Sequence, residues 1–297
     1  MAEPAPQADA TDGGHRRVFL IDGSGYIFRA FHALPPMTRE DGTPVNAVFG
    51  FANMLLKLLN ESQADYLAVV FDTARKTFRT EIYDQYKANR PEPPPELVPQ
   101  FALIREATRA FGLPVVELDG FEADDLIATY ARAAAADGAE VTIVSSDKDL
   151  MQLVGDGIAM LDPIKNRPIG PAEVQERFGV GPEKVVDVQA LSGDATDNVP
   201  GVPGIGVKTA AELIRTYGDL ETLLIHAGEI KQPKRRETLM QNADKARMSK
   251  ELVRLKDDCP VPVPLEEMRV GPRDTGKLLA YLDLNGFRSI ANRVRQG

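Results

Sequence analysis

The chain has 297 residues, 43% of them hydrophobic, which suffices for one large domain or two modest ones. A single cysteine, Cys259, excludes an internal disulfide and a cysteine-rich zinc site and suits a reducing, cytoplasmic setting. The net charge of -9 argues against a protein that coats nucleic acid, and no apolar run is long enough to span a bilayer, so no membrane contact is expected.

Residues 1–17 are polar and rich in Ala, Pro and Gly, and they lack the basic start and apolar stretch of a signal peptide. They read as a disordered tail. Val18 to Ile21 is a short apolar run ending at Asp22-Gly-Ser, a buried strand followed by a turn. Val45 to Asn60 has helical periodicity. Tyr66 to Phe71 is a second buried strand and ends at Asp72. Leu97 to Phe111 reads as a helix stopped by Gly112 and Pro114, and Val115-Val116 as a third strand. Glu122 to Ala136 is helical, and Val141 to Val144 is a fourth strand leading to Asp147. Strands alternating with helices predict an α/β fold with a mostly parallel sheet flanked by helices. Beyond about residue 175 short helical patterns follow one another: Pro182 to Leu191, Lys208 to Tyr217, Leu220 to His226 and Pro233 to Lys245. A domain change is expected near residue 180, giving a core over 18–180 and a helical region over 181–297.

Ligands of parallel sheets bind beyond the carboxyl ends of the strands. Asp22, Asp72 and Asp147 follow three of the strands. Six further carboxylates sit at turns or helix starts: Glu122, Asp124, Asp125, Asp149, Asp194 and Asp197. A helix cap explains one acid in Glu122-Ala-Asp-Asp125, but three acids in four positions exceed what capping requires. A surface turn with an ion pair remains open for Asp147-Lys-Asp149, and an Asx-rich turn for Asp194 and Asp197. Nine carboxylates crowded at one sheet edge would repel one another, and divalent cations remove that penalty. Oxygen-only ligands point to Mg²⁺ or Mn²⁺ rather than zinc. Two such ions about 3.5–4 Å apart suit phosphodiester hydrolysis.

From Arg75 to Arg90 five basic residues face two acidic ones, mixed with aromatics. Arg79, Lys87 and Arg90 are candidate phosphate contacts, and Tyr86 a candidate to stack on a base. An amphipathic helix with a packed aromatic face is the alternative. A second basic stretch, Glu229 to Lys256, has nine basic and four acidic residues and is otherwise a solvated surface. The turn Gly201-Val-Pro-Gly204-Ile-Gly206-Val-Lys208-Thr209 is not a P-loop, because Val207 separates the last Gly from the Lys. It fits a helix–helix turn whose backbone N–H groups, with Lys208 and Thr209, grip a DNA backbone.

These stretches resemble the 5′-nuclease domain of bacterial DNA polymerase I and, more widely, the flap endonucleases. The resemblance rests on Leu20-Ile-Asp-Gly-Ser-Gly-Tyr, Val70-Phe-Asp72, Phe78-Arg79, Tyr86-Lys-Ala-Asn-Arg-Pro91, Glu122-Ala-Asp-Asp125, Ser146-Asp-Lys-Asp-Leu-Met-Gln-Leu153 and Gly193-Asp-Ala-Thr-Asp-Asn-Val-Pro-Gly-Val-Pro-Gly-Ile-Gly206. It implies a PIN-like core followed by a helical domain with a helix-three-turn-helix (helix-hairpin-helix) element. Asp22, Asp72, Glu122 and Asp124 would hold a first metal; Asp147, Asp149, Asp194 and Asp197 would hold a second, with Asp125 near both. Arg79, Tyr86, Lys87 and Arg90 would belong to a helical arch over about 73–95, with Lys87 nearest the scissile phosphate. The Gly201–Gly206 turn would hold duplex DNA, often with K⁺. The implied substrate is DNA with a 5′ flap, nick or 5′ end, including RNA-primed ends, in bacterial replication and repair. The enzyme is expected to be monomeric and nucleoid-associated. A toxin-like PIN ribonuclease and a non-catalytic DNA-junction binder are the rival readings. The chain stops where a full polymerase I continues, so a stand-alone nuclease and a fragment of the larger enzyme both stay open.

Overall fold

The computed structural model describes residues 16–73 and 76–296. In chain order the elements are β1 (Arg17–Asp22), α1 (Gly23–Ala33), α2 (Asn46–Glu61), β2 (Tyr66–Val70), α3 (Phe78–Ile82), α4 (Val98–Ala110), β3 (Val115–Val116), α5 (Ala123–Ala136), β4 (Glu140–Val144), β5 (Ile158–Asp162) and β6 (Arg167–Ile169). A helical series follows: α6 (Pro171–Phe178), α7 (Val185–Ser192), α8 (Val207–Tyr217), α9 (Leu220–Ile225), α10 (Pro233–Gln241), α11 (Ala243–Val253), α12 (Thr275–Leu284) and α13 (Arg288–Gln296).

The six strands lie in the order β3-β2-β1-β4-β5-β6, parallel except for the antiparallel edge strand β6. Side chains alternate between the two faces, as a period of two requires. Val18, Leu20, Ala68, Val70, Val141 and Ile143 pack on the side of α5. Ile21, Leu67, Val69, Phe71 and Val144 pack on the side of α2 and α4. The strand order reverses between β1 and β4, so their carboxyl ends flank the crevice where such sheets bind ligands.

Local chemistry explains the helix starts. The residue before α2, Val45, offers no side-chain cap, and the free N–H groups of Ala47 and Val48 donate instead to Gln100 Oε1 from α4. Asp22 caps α1 directly at the end of β1, so the turn expected after this strand is the first turn of a helix.

Other expectations shift as well. Of the presumed tail, Met1 to His15 lie outside the described residues, while Arg17 already belongs to β1, pairing with Glu140. β5 and β6 extend the sheet beyond the four strands read from apolar runs. The helix expected from Pro233 to Lys245 is two helices, broken at Asn242. The final helices α12 and α13 do not stay with the helical series. Leu278, Leu282, Phe287 and Ile290 return to the cluster formed by α2, α4 and the sheet. Among the described residues no helix is long and apolar enough to cross a membrane.

Candidate metal centre and nucleic-acid interface

Asp22 is fixed at both oxygens. Oδ1 accepts from the Gly25 N–H at 2.7 Å and Oδ2 from the Ser145 hydroxyl at 2.8 Å. Gly25 has to be small here, since a methyl group on it would lie 2.2 Å from Asp22 Oδ2. The Asp72 N–H donates to Ser24 Oγ, and Asp72 Oδ1 accepts from the Ala123 N–H in the first turn of α5. Asp147 follows β4 and its N–H donates to Ser145 Oγ. Asp22, Asp72, Glu122, Asp124, Asp147 and Asp197 line one cleft of about 270 Å³, and Lys87 and Arg90 stand in its wall.

Crowding shows in the proton affinities. Burial pushes Asp22 up to about 6, with Asp147 and Asp72 adding to the rise against the pull of the Gly25 bond. Burial, then Asp147 and Asp22, hold Asp124 well above the usual carboxylate range. Asp149 is pushed up to about 7 by burial and by Asp147.

Behind the cleft lies a smaller cavity of about 10 Å³, lined by Glu122, Asp124, Asp149, Asp194 and Asp197. That is room for roughly one water-sized sphere. Asp149, Asp194 and Asp197 each bring one carboxylate oxygen within 4.8 Å of the others. The loop bearing the last two is pinched shut by a close backbone approach: a methyl group on Gly201 would lie 2.3 Å from the Gly193 nitrogen, and both residues have positive φ. Both cavities are lined by oxygen donors without His or Cys, so the residues fit a hard divalent cation.

Protein cations occupy part of this negative surface. Lys87 Nζ lies 2.7 Å from Glu122 Oε2 and 3.6 Å from Asp197 Oδ2. Arg90 pairs with Asp197 at 2.5 Å and Lys148 with Asp194 at 2.6 Å. Burial works to raise Asp197, but Lys87 and Arg90 outweigh it and hold this carboxyl below its ordinary value. For Lys87, burial opposes the charge, but Glu122, Tyr86 and Asp197 together more than restore it, so its proton is held more tightly than usual. The Lys87 strap is stitched to the acidic loop. The Lys87 N–H donates to Asp197 O, Asn89 Nδ2 to Ala195 O, and Asn198 Nδ2 to Gln85 O.

Several expected roles need correction. Arg79 is 1% exposed and does not face the cleft mouth. Its guanidinium grips Asp125 with two hydrogen bonds of 2.7 Å and donates to the carbonyls of Leu252 and Arg254. Asp125 has no oxygen left for a metal, because the N–H groups of Glu122 and Lys256 bind it too. The Tyr86 ring is buried, with its hydroxyl 3.2 Å from Glu122, and cannot stack on a base in this arrangement. In place of a continuous arch, the described part of 73–95 contains one short helix, α3, and a turn drawn down onto the carboxylates. Arg75 lies outside the described residues. Gly201 is buried and its N–H donates to Ser249 Oγ, so it shapes the loop and its N–H is already taken. Gly204, Gly206 and Lys208 are exposed and Thr209 half-buried at the start of α8; none lines either cavity.

Sequence reasoning missed Ser24, Ser145, Lys148 and Gln189, whose Nε2 donates to Asp149 Oδ1. The serines and Lys148 sit inside the acidic motifs, where they could have been singled out. Gln189 carries no local signal.

Comparison with known proteins gives the family. Residues 17–179 match the family model for the 5′-3′ exonuclease N-terminal resolvase-like domain, and residues 180–276 that for the 5′-3′ exonuclease C-terminal SAM fold. A DNA polymerase I of Rhizobium leguminosarum is 57% identical over 94% of this chain, which spans only 28% of that relative's length. A 5′-3′ exonuclease of Aquifex aeolicus (strain VF5) is 36% identical, with 94% of this chain and 95% of the relative covered. The fold matches the bacteriophage T5 D15 flap endonuclease, solved as a pseudo-enzyme–product complex with DNA and metal ions. The TM-score is 0.69 at 20% identity, covering 95% of this chain and 98% of that one. On its fold, its acidic cleft and its match to both family models, this chain belongs to the 5′-3′ exonuclease family.

Proposed function

We propose that the chain hydrolyses DNA phosphodiesters near 5′ ends, as a structure-specific flap endonuclease and 5′-3′ exonuclease in replication and repair, using two divalent cations. The carrying observation is the convergence of carboxylates from five chain segments on two adjoining cavities roofed by Lys87 and Arg90. Asp22, Asp72 and Asp124, with Glu122 at their edge, suit one Mg²⁺ or Mn²⁺; Asp149, Asp194 and Asp197 suit the second, and Asp147 serves the side between them. When bound, these ions supply a nucleophilic water at neutral pH and neutralise charge on the leaving oxygen.

The chain's own groups do the positioning. Ser145 and the Gly25 N–H hold Asp22 in one rotamer, so the carboxylate need not reorganise during reaction. Lys87 and Arg90 leave Glu122 and Asp197 for the phosphate of an entering 5′ strand. Arg79 keeps Asp125, and through it the start of α5, in register. Gly204, Gly206, Lys208 and Thr209 grip the duplex backbone, with K⁺ at that turn. We further read the chain as a core (18–180) and a helical DNA-binding region (181–297), monomeric, cytoplasmic and nucleoid-associated, acting on 5′ flaps, nicks and RNA-primed ends.

The test uses a 5′-labelled flap with Mg²⁺, with and without chelator. Asp147→Asn together with Asp149→Asn is expected to slow cleavage by at least about a hundredfold, given the several kcal/mol that charge stabilisation by a metal supplies. Undiminished cutting by the double variant would sink the metal assignment. Stronger cutting of single-stranded RNA than of flap DNA would favour a ribonuclease instead.

A further inference from the structure

Asp194 has both carboxylate oxygens engaged. Oδ1 accepts from the Thr196 N–H at 2.9 Å, a contact fixed within its own turn. Oδ2 pairs with Lys148 Nζ at 2.6 Å. Asp194 lines the inner cavity, and its side chain is 4% exposed while that of Lys148 is 26% exposed, leaving the lysine a way out to solvent. An oxygen of Asp194 already lies within 4.8 Å of those of Asp149 and Asp197, so a cation in the cavity and the Lys148 ammonium compete for the same carboxylate, and the lysine is the partner with a way out. We infer that Lys148 is a built-in counter-cation: it neutralises Asp194 in the metal-free protein and has to be displaced before the inner cavity holds a divalent ion. This rests on the two-cation reading above.

The arrangement has a sign that ordinary structural support does not share. A lysine that merely orients Asp194 would strengthen cation binding, so its loss would weaken uptake. A competing lysine weakens cation binding, so its removal strengthens uptake while exposing the metal-free protein to unrelieved repulsion among Asp149, Asp194 and Asp197.

Calorimetric titration of the whole chain with Mn²⁺, without DNA, separates these cases. Lys148→Met and Lys148→Gln are expected to bind the weaker Mn²⁺ on the order of tenfold more tightly than the parent, the scale of one charge-assisted contact. Lys148→Arg should keep the parent's affinity. Melting temperature should fall in the metal-free Met and Gln variants and recover with Mn²⁺. If Lys148→Met does not fold, Lys148→Gln, which keeps a neutral donor toward Asp194, carries the comparison. Equal or weaker Mn²⁺ binding by the neutral variants overturns the inference while leaving the two-cation reading intact. If the parent takes up a single Mn²⁺ and Asp194→Asn leaves that titration unchanged, the two-cation reading itself fails and the inference falls with it.

Discussion

The two halves of the acidic centre solve the same electrostatic problem differently. Asp22 and Asp72 are held by neutral donors: N–H groups of Gly25 and Ala123 and the hydroxyl of Ser145. Glu122, Asp194 and Asp197 are held by Lys87, Lys148 and Arg90. Neutral donors fix geometry but cancel little charge, so burial, with Asp147 and Asp72 adding to it, still pushes Asp22 up to about 6. Cations cancel charge as well, and Asp197 stays below its ordinary value although it is buried. The lesson is that one half is pre-shaped and keeps its charge, while the other is neutralised by the chain's own cations.

The largest effect should come from Arg79, the extreme of cation holding. Arg79→Ala would leave Asp125 buried without a counter-charge, which costs roughly 3–5 kcal/mol. Urea unfolding measures this, and a loss below about 1 kcal/mol would mean that the pair adds nothing beyond a surface contact. Next comes Lys87→Ala, which removes the nearest cation from Glu122 and leaves it Arg79 at 3.8 Å and the Tyr86 hydroxyl. Cleavage of a saturating flap substrate should slow by about 10²-fold with a much smaller loss of binding, because a phosphate clamp beside the reacting bond acts in the transition state. Equal losses in rate and affinity would place Lys87 in binding only.

Donor-held Asp22, together with Asp149, should also make metal-free stability depend on pH near neutrality. Asp22 and Asp149 bind protons more tightly folded, at about 6 and about 7, than the ordinary value of 3.8. They therefore favour folding fully below about pH 4, and this contribution disappears as pH rises through 6 and 7. Melting temperature in chelator should fall from pH 5 to pH 8 by a few degrees, and Mg²⁺ should raise it more at pH 8 than at pH 5. In Asp149→Asn the fall should shrink; a pH profile identical to the parent's would refute the neutral-pH titration. Lys208 lies outside both halves and should have the smallest effect. Lys208→Ala should weaken duplex binding and reduce the salt slope by about 1, and an unchanged slope would remove its phosphate contact.

Residue chemistry and period carried the reading of the fold a long way. The apolar runs Val18–Ile21 and Tyr66–Phe71 have no other stable place than the middle of a sheet, and the acids after them therefore gather at one edge. α1 was hidden because Gly23-Ser-Gly25 has the composition of a turn. Its glycines are there to admit Phe71 and the Asp22 carboxylate, a packing requirement that no local pattern expresses. β5 and β6 went unread because they are short and rely on neighbours, β5 on β4 and β6 on β5, for their hydrogen bonds.

By itself the sequence determined that many carboxylates, a basic aromatic segment and a glycine-rich turn coexist on an α/β scaffold, because such patterns depend only on neighbours along the chain. Tertiary structure alone decided which charges meet. Arg79 and Asp125 look like site residues until folding seals them 46 positions apart in one buried pair, and Lys148 becomes a counter-ion only when Asp194 arrives beside it. Coulomb energy depends on distance and burial, and neither quantity exists until the chain has closed on itself.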